Sequence, residues 1–281
     1  MAGGTNEKFS KLNEDDFSVE SIRIVDAARS SGIHVRILGA LAVFIHTSHD
    51  QLVLLRYKGL ARLGPDRPMF TDLDLMAYSN QRKEVSRFFE KSLGFRPDFY
   101  VNSLFGGRRN IYHHPAGDFD VDVFYDTLSF SHEVKFGESS EMGRLQLDYP
   151  TISLADIALE KLQIHQINRK DLVDLFVLLS AHDISNRGGK ETIDGGYVAG
   201  VLSNDWGFEY DARTNLVKLK DFGSQLVGNG SIPASEWEVV AGRIGRLIGF
   251  VEAQSKSKEW EKRAKKGTAK PWYNEVEEVE R

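Results

Sequence analysis

Hydrophobic and acidic residues alternate along the stretch from Phe70 to Met76. If this stretch is a strand, its period of two places Asp72 and Asp74 on one face and the intervening leucines on the other. Two carboxylates held this close repel each other unless a cation lies between them, and oxygen ligands of this type suit magnesium. The alternative is an edge strand whose polar face is simply solvated.

A second acidic stretch alternates in the same way from Asp118 to Phe124. It follows the run from Arg109 to His114 after a turn at residues 115–117, an arrangement that predicts a β-hairpin. Asp120 and Asp122 then share one face of the second strand. If this strand lies beside the first acidic strand, one of its aspartates completes a site of three carboxylates.

Apolar residues at helical spacing predict helices on either side of these strands. The predicted helices cover Ser18 to Arg29, Leu41 to His46, Asn80 to Leu93, segments that begin at Ser153 and Asn168, Ile193 to Leu202, and Trp237 to Phe250. A predicted strand from Ile33 to Leu38 leads through Gly39-Ala40 into the second of these helices. Free backbone N–H groups at such a helix start can bind a phosphate, although an ordinary strand-to-helix turn has the same pattern.

Two of the helices after residue 150 carry charged residues beside their apolar stripes. Lys161 lies at the edge of one stripe, where a helical lysine must be covered or paired. Asp171 and Asp174 lie on a face next to the following stripe, and Asp171 has a structural alternative because an acid in the first turn stabilises a helix. Farther on, Trp206 to Leu219 alternates weakly around a predicted turn at Asp211 to Asn215.

Composition limits the classes of function. With 281 residues, 41% of them hydrophobic and 27% charged, the chain is long enough for one large domain or a main domain with a smaller one. No window approaches the roughly eighteen apolar residues of a membrane span. The first residues also lack the plan of a secretion signal, so we expect a cytoplasmic protein without membrane contact. The absence of cysteine excludes disulfides, thiolate nucleophiles and sulfur-based zinc sites.

Charge and histidine content further limit the ligands that we expect. The net charge of -5 disfavours a nucleic-acid coat over the whole surface but leaves room for a local basic patch. The basic run Lys256 to Lys270 and the acidic run Glu275 to Glu280 are typical of solvated ends, with RNA contact by the basic run as the alternative. The eight histidines are scattered, and His113-His114 lacks the helical spacing of a zinc-binding pair. We therefore expect them to be polar strand or loop residues.

Four motifs follow one another along residues 33 to 180. They are Gly39-Ala40 before a helix, Asp72-x-Asp74 on a strand, the second acidic strand, and the helical pair that carries Lys161 and Arg169 to Leu175. Together they resemble the DNA polymerase beta-like nucleotidyltransferase superfamily, and most closely its AbiEii-type nucleotidyltransferases. The resemblance implies an α+β fold with a small mixed sheet flanked by helices and a mainly helical C-terminal region. It also implies a catalytic sheet domain over residues 1–150 and a helical region over residues 151–281.

The activity that the resemblance implies is metal-dependent transfer of a nucleoside monophosphate from a nucleoside triphosphate to a hydroxyl group. Magnesium or manganese ions, about 3.5 to 4 Å apart, would clamp the attacking and leaving oxygens. Asp72, Asp74 and Asp122 would hold these ions, with Asp120 as the less favoured third carboxylate. Asp122 would also accept the hydroxyl proton, directly or through water.

The resemblance also implies a nucleotide-binding set. Gly39 and Ala40 would bind phosphate through their backbone, and Lys161 would neutralise the charge of the triphosphate. Asp171 and Asp174 would fix Lys161 and the pocket for the base. The family usually has Gly-Gly or Gly-Ser at the turn, so the chain departs from the pattern by lacking a serine hydroxyl there.

The sequence leaves the identity of the hydroxyl acceptor open. RNA, tRNA included, a protein or a small molecule each offers a suitable hydroxyl, and a toxin-like role would bring a cognate antitoxin-like protein as partner. One alternative is a protein of this fold that has weak or no catalysis and acts by binding a nucleotide or a partner. The other is a small-molecule nucleotidyltransferase of the antibiotic-modifying sort.

Overall fold

The computed structural model describes residues 10–275, in which helices surround a five-stranded sheet. The helices are α1 (Glu14–Ser30), α2 (Gly39–Thr47), α3 (Gln51–Gly59), α4 (Arg82–Arg87), α5 (Phe99–Phe105), α6 (Leu154–Leu162), α7 (Arg169–Ala181), α8 (Gly195–Leu202), α9 (Trp206–Gly228), α10 (Ala234–Ala253) and α11 (Lys258–Ala264). The strands are β1 (Val35–Ile37), β2 (Leu73–Ala77), β3 (Arg96–Pro97), β4 (Arg109–His113), β5 (Asp120–Tyr125), β6 (Thr127–Ser129), β7 (Glu133–Lys135), β8 (Asp183–Ser185) and β9 (Thr192–Asp194). The N-terminal leader up to residue 9 and positions 276–280 of the predicted acidic run lie outside the described residues.

The main sheet has the strand order β1-β2-β5-β4-β3. Strand β2 runs parallel to β5, and the other neighbouring pairs are antiparallel. A parallel pair cannot be joined by a tight turn, so the chain crosses over between them through α4, α5 and the β3–β4 pair. The register of the parallel pair sets Asp74 directly opposite Asp122.

A continuous buried core joins the sheet to the helices, from Phe17 in α1 to Val251 in α10. All six residues of β5 are buried, as expected for a central strand covered on both faces. Helix α7 packs against α2, α3, α6, α9 and α10 and so occupies the centre of the helical part. The predicted α+β fold with its small mixed sheet is confirmed, while the domain boundary at residue 150 stays a prediction. Among the described residues, no helix combines the length and the apolar character that a membrane crossing requires.

The segment from Trp206 to Leu219 differs from the prediction, because it belongs to one long helix and contains no turn. Phe208, Ala212, Leu216 and Leu219 recur at helical spacing, and all four are buried. The turn-like residues between them have tertiary partners: the Asn215 amide, for example, donates to the carbonyls of Leu162 and Ile164 at 3.1 and 2.7 Å. Polar residues that are satisfied by distant groups do not break a helix.

The expectation for the histidines is also wrong in one respect. His46 lies in helix α2 and is buried, not in a strand or loop. His182 caps the C-terminal end of α7 and is also buried. Their rings approach each other to 5.8 Å between centroids, although they are 136 residues apart in the chain.

Candidate active site

Three carboxylates meet where β2 and β5 lie side by side. Asp72 immediately precedes β2, Asp74 is the second residue of β2, and Asp122 lies in β5. Each of the three offers an oxygen, and these oxygens all lie within 4.8 Å of one another. Asp120, two residues before Asp122 on the same face, instead pairs with His113 at 2.8 Å between carboxylate and Nδ1. Of the two aspartates of the second strand, the structure therefore brings Asp122 to the cluster.

The electrostatics of this cluster oppose ionisation of Asp74. Burial raises the pKa of the Asp74 carboxyl well above its ordinary value, and the charges of Asp72 and Asp122 raise it further. Glu160 adds to the effect and Arg109 opposes it. The Arg109 guanidinium donates directly to Asp122. The site is thus an acidic cluster in which Arg109 opposes the mutual repulsion of the carboxylates.

Gly39 lies so close to the cluster that a side chain there would be tight against Asp74. Its φ of +74° lies in the left-handed region, and a Cβ built there would come within 3.1 Å of Asp74 Oδ2. The preceding residue, Leu38, donates its N–H to the backbone carbonyl of Asp74 at 3.1 Å. The strand-to-helix turn therefore lies against the carboxylates, where the sequence motif predicted it.

The backbone donor of this turn already has a partner within the chain. Gly39 donates its N–H to Oε2 of Glu160 at 3.0 Å, and Glu160 is only 4% exposed. Burial raises the pKa of Glu160, whereas Lys161 and the bond from Gly39 lower it. Ala40, the second residue of the predicted phosphate turn, accepts a hydrogen bond from the Tyr57 hydroxyl on its carbonyl at 3.3 Å.

Lys161 is covered and paired at the same time. Its side chain is 6% exposed, and its ammonium lies 3.1 Å from Asp174, 3.3 Å from Asp171 and 3.5 Å from Glu160. Burial alone would lower the pKa of Lys161, but these three carboxylates outweigh it and raise the pKa. The lysine is a buried cation held by three anions of its own chain.

Asp174 connects this lysine to an arginine and a tyrosine that the sequence analysis did not single out. Arg62 binds both carboxylate oxygens of Asp174 at 2.9 Å, and Tyr57 donates its hydroxyl to Asp174 at 2.6 Å. Burial would raise the pKa of Asp174, but Arg62 and Lys161 reverse this and lower it. Asp174 is therefore ionised in the folded protein and satisfied by three donors.

Among the residues that the sequence motifs did not include, Glu160 has a weak signal in the sequence. Glu160 forms with Lys161 a charged pair in the last turn of α6, a helix whose residues apart from these two and Asp156 are apolar, and this points to buried partners. Arg62 lies in an irregular stretch between α3 and β2 without any motif. Asp171 does not cap α7 with its side chain: Asn168 accepts the backbone N–H groups of Lys170 and Asp171, which leaves the Asp171 carboxylate for Lys161.

Comparison with known proteins gives one structural likeness. No family model matches the chain, and no curated protein matches it. Among solved structures, the chain is similar to the crystal structure of an antigenic nucleotidyltransferase-like protein from Paracoccidioides brasiliensis. The two share 15% sequence identity with a TM-score of 0.36, over 89% of this chain and 96% of that chain.

Proposed function

We propose that this chain is a metal-dependent nucleotidyltransferase that moves a nucleoside monophosphate from a nucleoside triphosphate to a hydroxyl group and releases pyrophosphate. One observation carries the proposal: Asp72, Asp74 and Asp122 bring carboxylate oxygens within 4.8 Å of one another at the junction of two parallel strands. Such a set, made of oxygen alone and rich in negative charge, fits magnesium or manganese.

The three aspartates would hold the metal in this proposal. Bound there, the metal would supply Lewis-acid stabilisation of the charge that develops on the phosphoryl oxygens. Asp122, steadied by Arg109, would accept the proton of the attacking hydroxyl. Gly39 would let the phosphate approach closely, because the turn beside Asp74 has no side chain in the way.

The buried cluster behind the site would position these groups. Lys161 is almost fully buried among three carboxylates, so a positioning role is favoured over the triphosphate contact that the resemblance implied. Through Glu160 the lysine reaches the Gly39 N–H, and through Asp174 it reaches Arg62. Loss of the lysine would therefore disturb the phosphate turn without a direct contact to substrate.

A second candidate function has an observation of its own. The Gly39 N–H that would serve a phosphate is bonded to Glu160, and Lys161 is held by Glu160 and two aspartates. These contacts favour a protein of this fold that has weak or no catalysis and acts by binding a partner. The RNA acceptor, the nucleoside triphosphate and an antitoxin-like partner all remain proposals.

A labelling experiment tests the proposal. The full chain is incubated with each radiolabelled nucleoside triphosphate, magnesium or manganese, and total cellular RNA, and label is then sought in RNA, in protein and in small molecules. We expect label in one of these acceptors, and none with the double variant Asp72→Asn with Asp74→Asn. Asp221→Asn, the same change at an exposed position of α9, is the matched control and should label like the parent.

Three outcomes separate the candidates. Label that depends on the two aspartates supports transferase activity. Metal binding without label in any acceptor supports the protein with weak or no catalysis. Equal label with the double variant and the parent refutes the assignment of Asp72 and Asp74.

A further inference from the structure

A second group of metal-ligating side chains lies away from the carboxylate site. His46, His182 and Glu191 each offer one ligand atom, and these atoms all lie within 4.8 Å of one another. His46 stands near the C-terminal end of α2, His182 caps the C-terminal end of α7, and Glu191 immediately precedes β9. We call these three residues the histidine cluster.

The cluster lies at the opposite ends of the helices that serve the carboxylate site. Helix α2 begins at Gly39 and α7 carries Asp171 in its first turn, whereas the histidines are at the other ends. At 1.5 Å per residue, these ends are about 10 Å and 15 Å along the helix axes. The two groups of ligands are therefore separate sites.

The distances within the cluster match shared ligation better than direct hydrogen bonding. Oε2 of Glu191 lies 3.7 Å from Nδ1 of His46 and 3.5 Å from Nδ1 of His182. Good hydrogen bonds between nitrogen and oxygen span about 2.7 to 3.2 Å. Two ligands that bind one tetrahedral zinc ion at about 2.0 to 2.2 Å lie about 3.3 Å from each other. A small contraction around an ion would bring the two Glu191 distances to that spacing.

His46 has the outer support that metal-binding histidines require. Its other nitrogen, Nε2, lies 2.7 Å from the Thr151 hydroxyl and 3.5 Å from Oδ2 of Asp148. A proton on Nε2 can be donated to either oxygen, which leaves the lone pair of Nδ1 facing Glu191. Such outer partners fix the tautomer and the ring orientation in metal sites.

His182 is not satisfied by protein groups alone. Its side chain is completely buried, and its Nε2 has no hydrogen-bond partner among the described residues. Its Nδ1 lies 3.3 Å from the backbone carbonyl of Glu191, a long contact for a hydrogen bond. Nδ1 is the nitrogen that faces the Glu191 carboxylate and is placed to bind an ion, so His182 differs from His46 in that its second nitrogen has no outer partner among the described residues.

An ion can reach the cluster from the surface. Glu191 is 45% exposed, and a pocket of about 380 Å³ beside the cluster is lined by His46, His49, Asp148, Lys190 and Glu191 among others. Lys190 is the cation in this lining, and Asp148 and Glu191 balance its charge. The pocket would leave one coordination position open to water.

We propose that His46, His182 and Glu191 bind a divalent transition-metal ion of the zinc class. Imidazole ligands suit zinc and its neighbours, whereas magnesium and calcium prefer oxygen, so this site and the carboxylate site select different ions. A bound ion would join the ends of α2 and α7 to the segment that leads into β9. The proposal does not depend on the nucleotidyltransferase assignment.

Metal titration of the full chain, prepared without a histidine tag, tests the proposal. Metal-free protein in excess magnesium is titrated with zinc by calorimetry and with cobalt by its visible absorption, which reports nitrogen and oxygen ligands in a four-coordinate site. We expect one equivalent of either ion to bind, with unchanged affinity when Asp72→Asn and Asp74→Asn are introduced together. Loss of binding in that double variant would assign the ion to the carboxylate site and overturn the proposal.

Variants at the cluster supply the second half of the test. Glu191→Gln changes an exposed side chain and should not affect folding, yet it should weaken zinc binding at least about tenfold and alter the cobalt spectrum. Glu133→Gln, the same change at a similarly exposed glutamate, should alter neither. Thr151→Val should weaken zinc binding by about 10-fold to 100-fold through the loss of outer support for His46. Equal affinity in the parent, Glu191→Gln and Thr151→Val would refute the site.

Discussion

Replacement of Lys161 by methionine is the sharpest test of the buried ion cluster. The ammonium lies within 3.5 Å of Glu160, Asp171 and Asp174, and none of these four side chains is more than 6% exposed. Methionine fills a similar volume, so packing changes little. What changes is that buried carboxylates lose a cation. Removal of one partner from a buried ion pair costs about 3 to 5 kcal/mol, because the remaining charge stays uncompensated in the interior.

The contacts show which carboxylates carry this cost. Asp174 keeps Arg62 and Tyr57, and Glu160 keeps the N–H of Gly39. Asp171 loses the ammonium that lies 3.3 Å from its carboxylate. We therefore expect the double change Lys161→Met with Asp171→Asn to recover part of the loss, with a coupling energy of about 0.5 to 3 kcal/mol.

Urea unfolding at pH 7 measures the effect, and melting temperature provides a second readout. At roughly 2 to 4 °C per kcal/mol for domains of this size, the expected loss corresponds to about 6 to 20 °C. Lys58→Met is the matched control, since Lys58 is 32% exposed and pairs with Glu14 and Asp15 at 3.6 and 3.5 Å. Exposed pairs of this kind contribute about 0 to 1 kcal/mol.

The pH dependence supplies an independent check on the physical cause. Burial raises the pKa of Glu160, so the folded protein binds this proton more readily than the unfolded chain. Stability then falls as the pH rises from the ordinary value of about 4.3 through the raised folded value. Without the ammonium this effect grows, and the deficit of Lys161→Met should be larger at pH 7 than at pH 5. The stabilisation from Asp174, whose pKa is lowered, is present above about 3.9 and is lost only as the pH falls through its folded pKa.

A stability loss of less than about 1 kcal/mol, equal to that of Lys58→Met, would refute this reasoning. It would indicate that Lys161 has its ammonium free for a triphosphate, as the family resemblance implied. Nucleotide affinity of the folded variant would then be the quantity that changes.

Four further predictions concern the carboxylate cluster, Gly39 and Asp174. Asp72→Asn with Asp74→Asn should leave the metal-free protein no less stable. The double change should also abolish the stabilisation that we expect magnesium to give the parent, about 2.7 kcal/mol at a hundred times its Kd, which is measured as a rise in melting temperature. A metal response that survives in the double variant would indicate that both residues lie on a solvated strand face. Because the pKa of Asp74 is raised, protonation competes with metal, so the response should weaken as the pH falls toward 5, and calorimetry at two pH values would show it. Gly39→Ala should lower the free energy of unfolding by about 1 to 2 kcal/mol, because alanine disfavours the left-handed backbone at this position. It should also weaken the magnesium response, since the new methyl group would lie 3.1 Å from Asp74. A loss of stability with an unchanged metal response would argue against the close approach. Tyr57→Phe should cost about 1.5 to 3 kcal/mol in urea unfolding by removing the hydrogen bond to the ionised Asp174, and no measurable loss would show that Arg62 and Lys161 suffice.

Local pattern was enough to predict much of the site. Period-two alternation set Asp72 and Asp74 on one face, and the hairpin signal at residues 115–117 led to the pair β4 and β5. Gly39 between a strand and a helix marked the turn that approaches the carboxylates. These predictions succeeded because each depends on backbone geometry within a few residues, where periodicity and turn chemistry decide the conformation.

Contacts between distant segments were decided only by the tertiary structure. The choice of Asp122 over Asp120 follows from the register of the parallel pair, which joins positions 48 residues apart and leaves Asp120 to His113. Arg62 reaches Asp174 from an irregular stretch, 112 residues away, that carries no periodic signal. The polar residues of α9 resembled a turn because their partners lie in other elements. His46 and His182 looked scattered for the same reason: sequence periodicity reports which face of an element is apolar, whereas side-chain partners depend on how the whole chain packs.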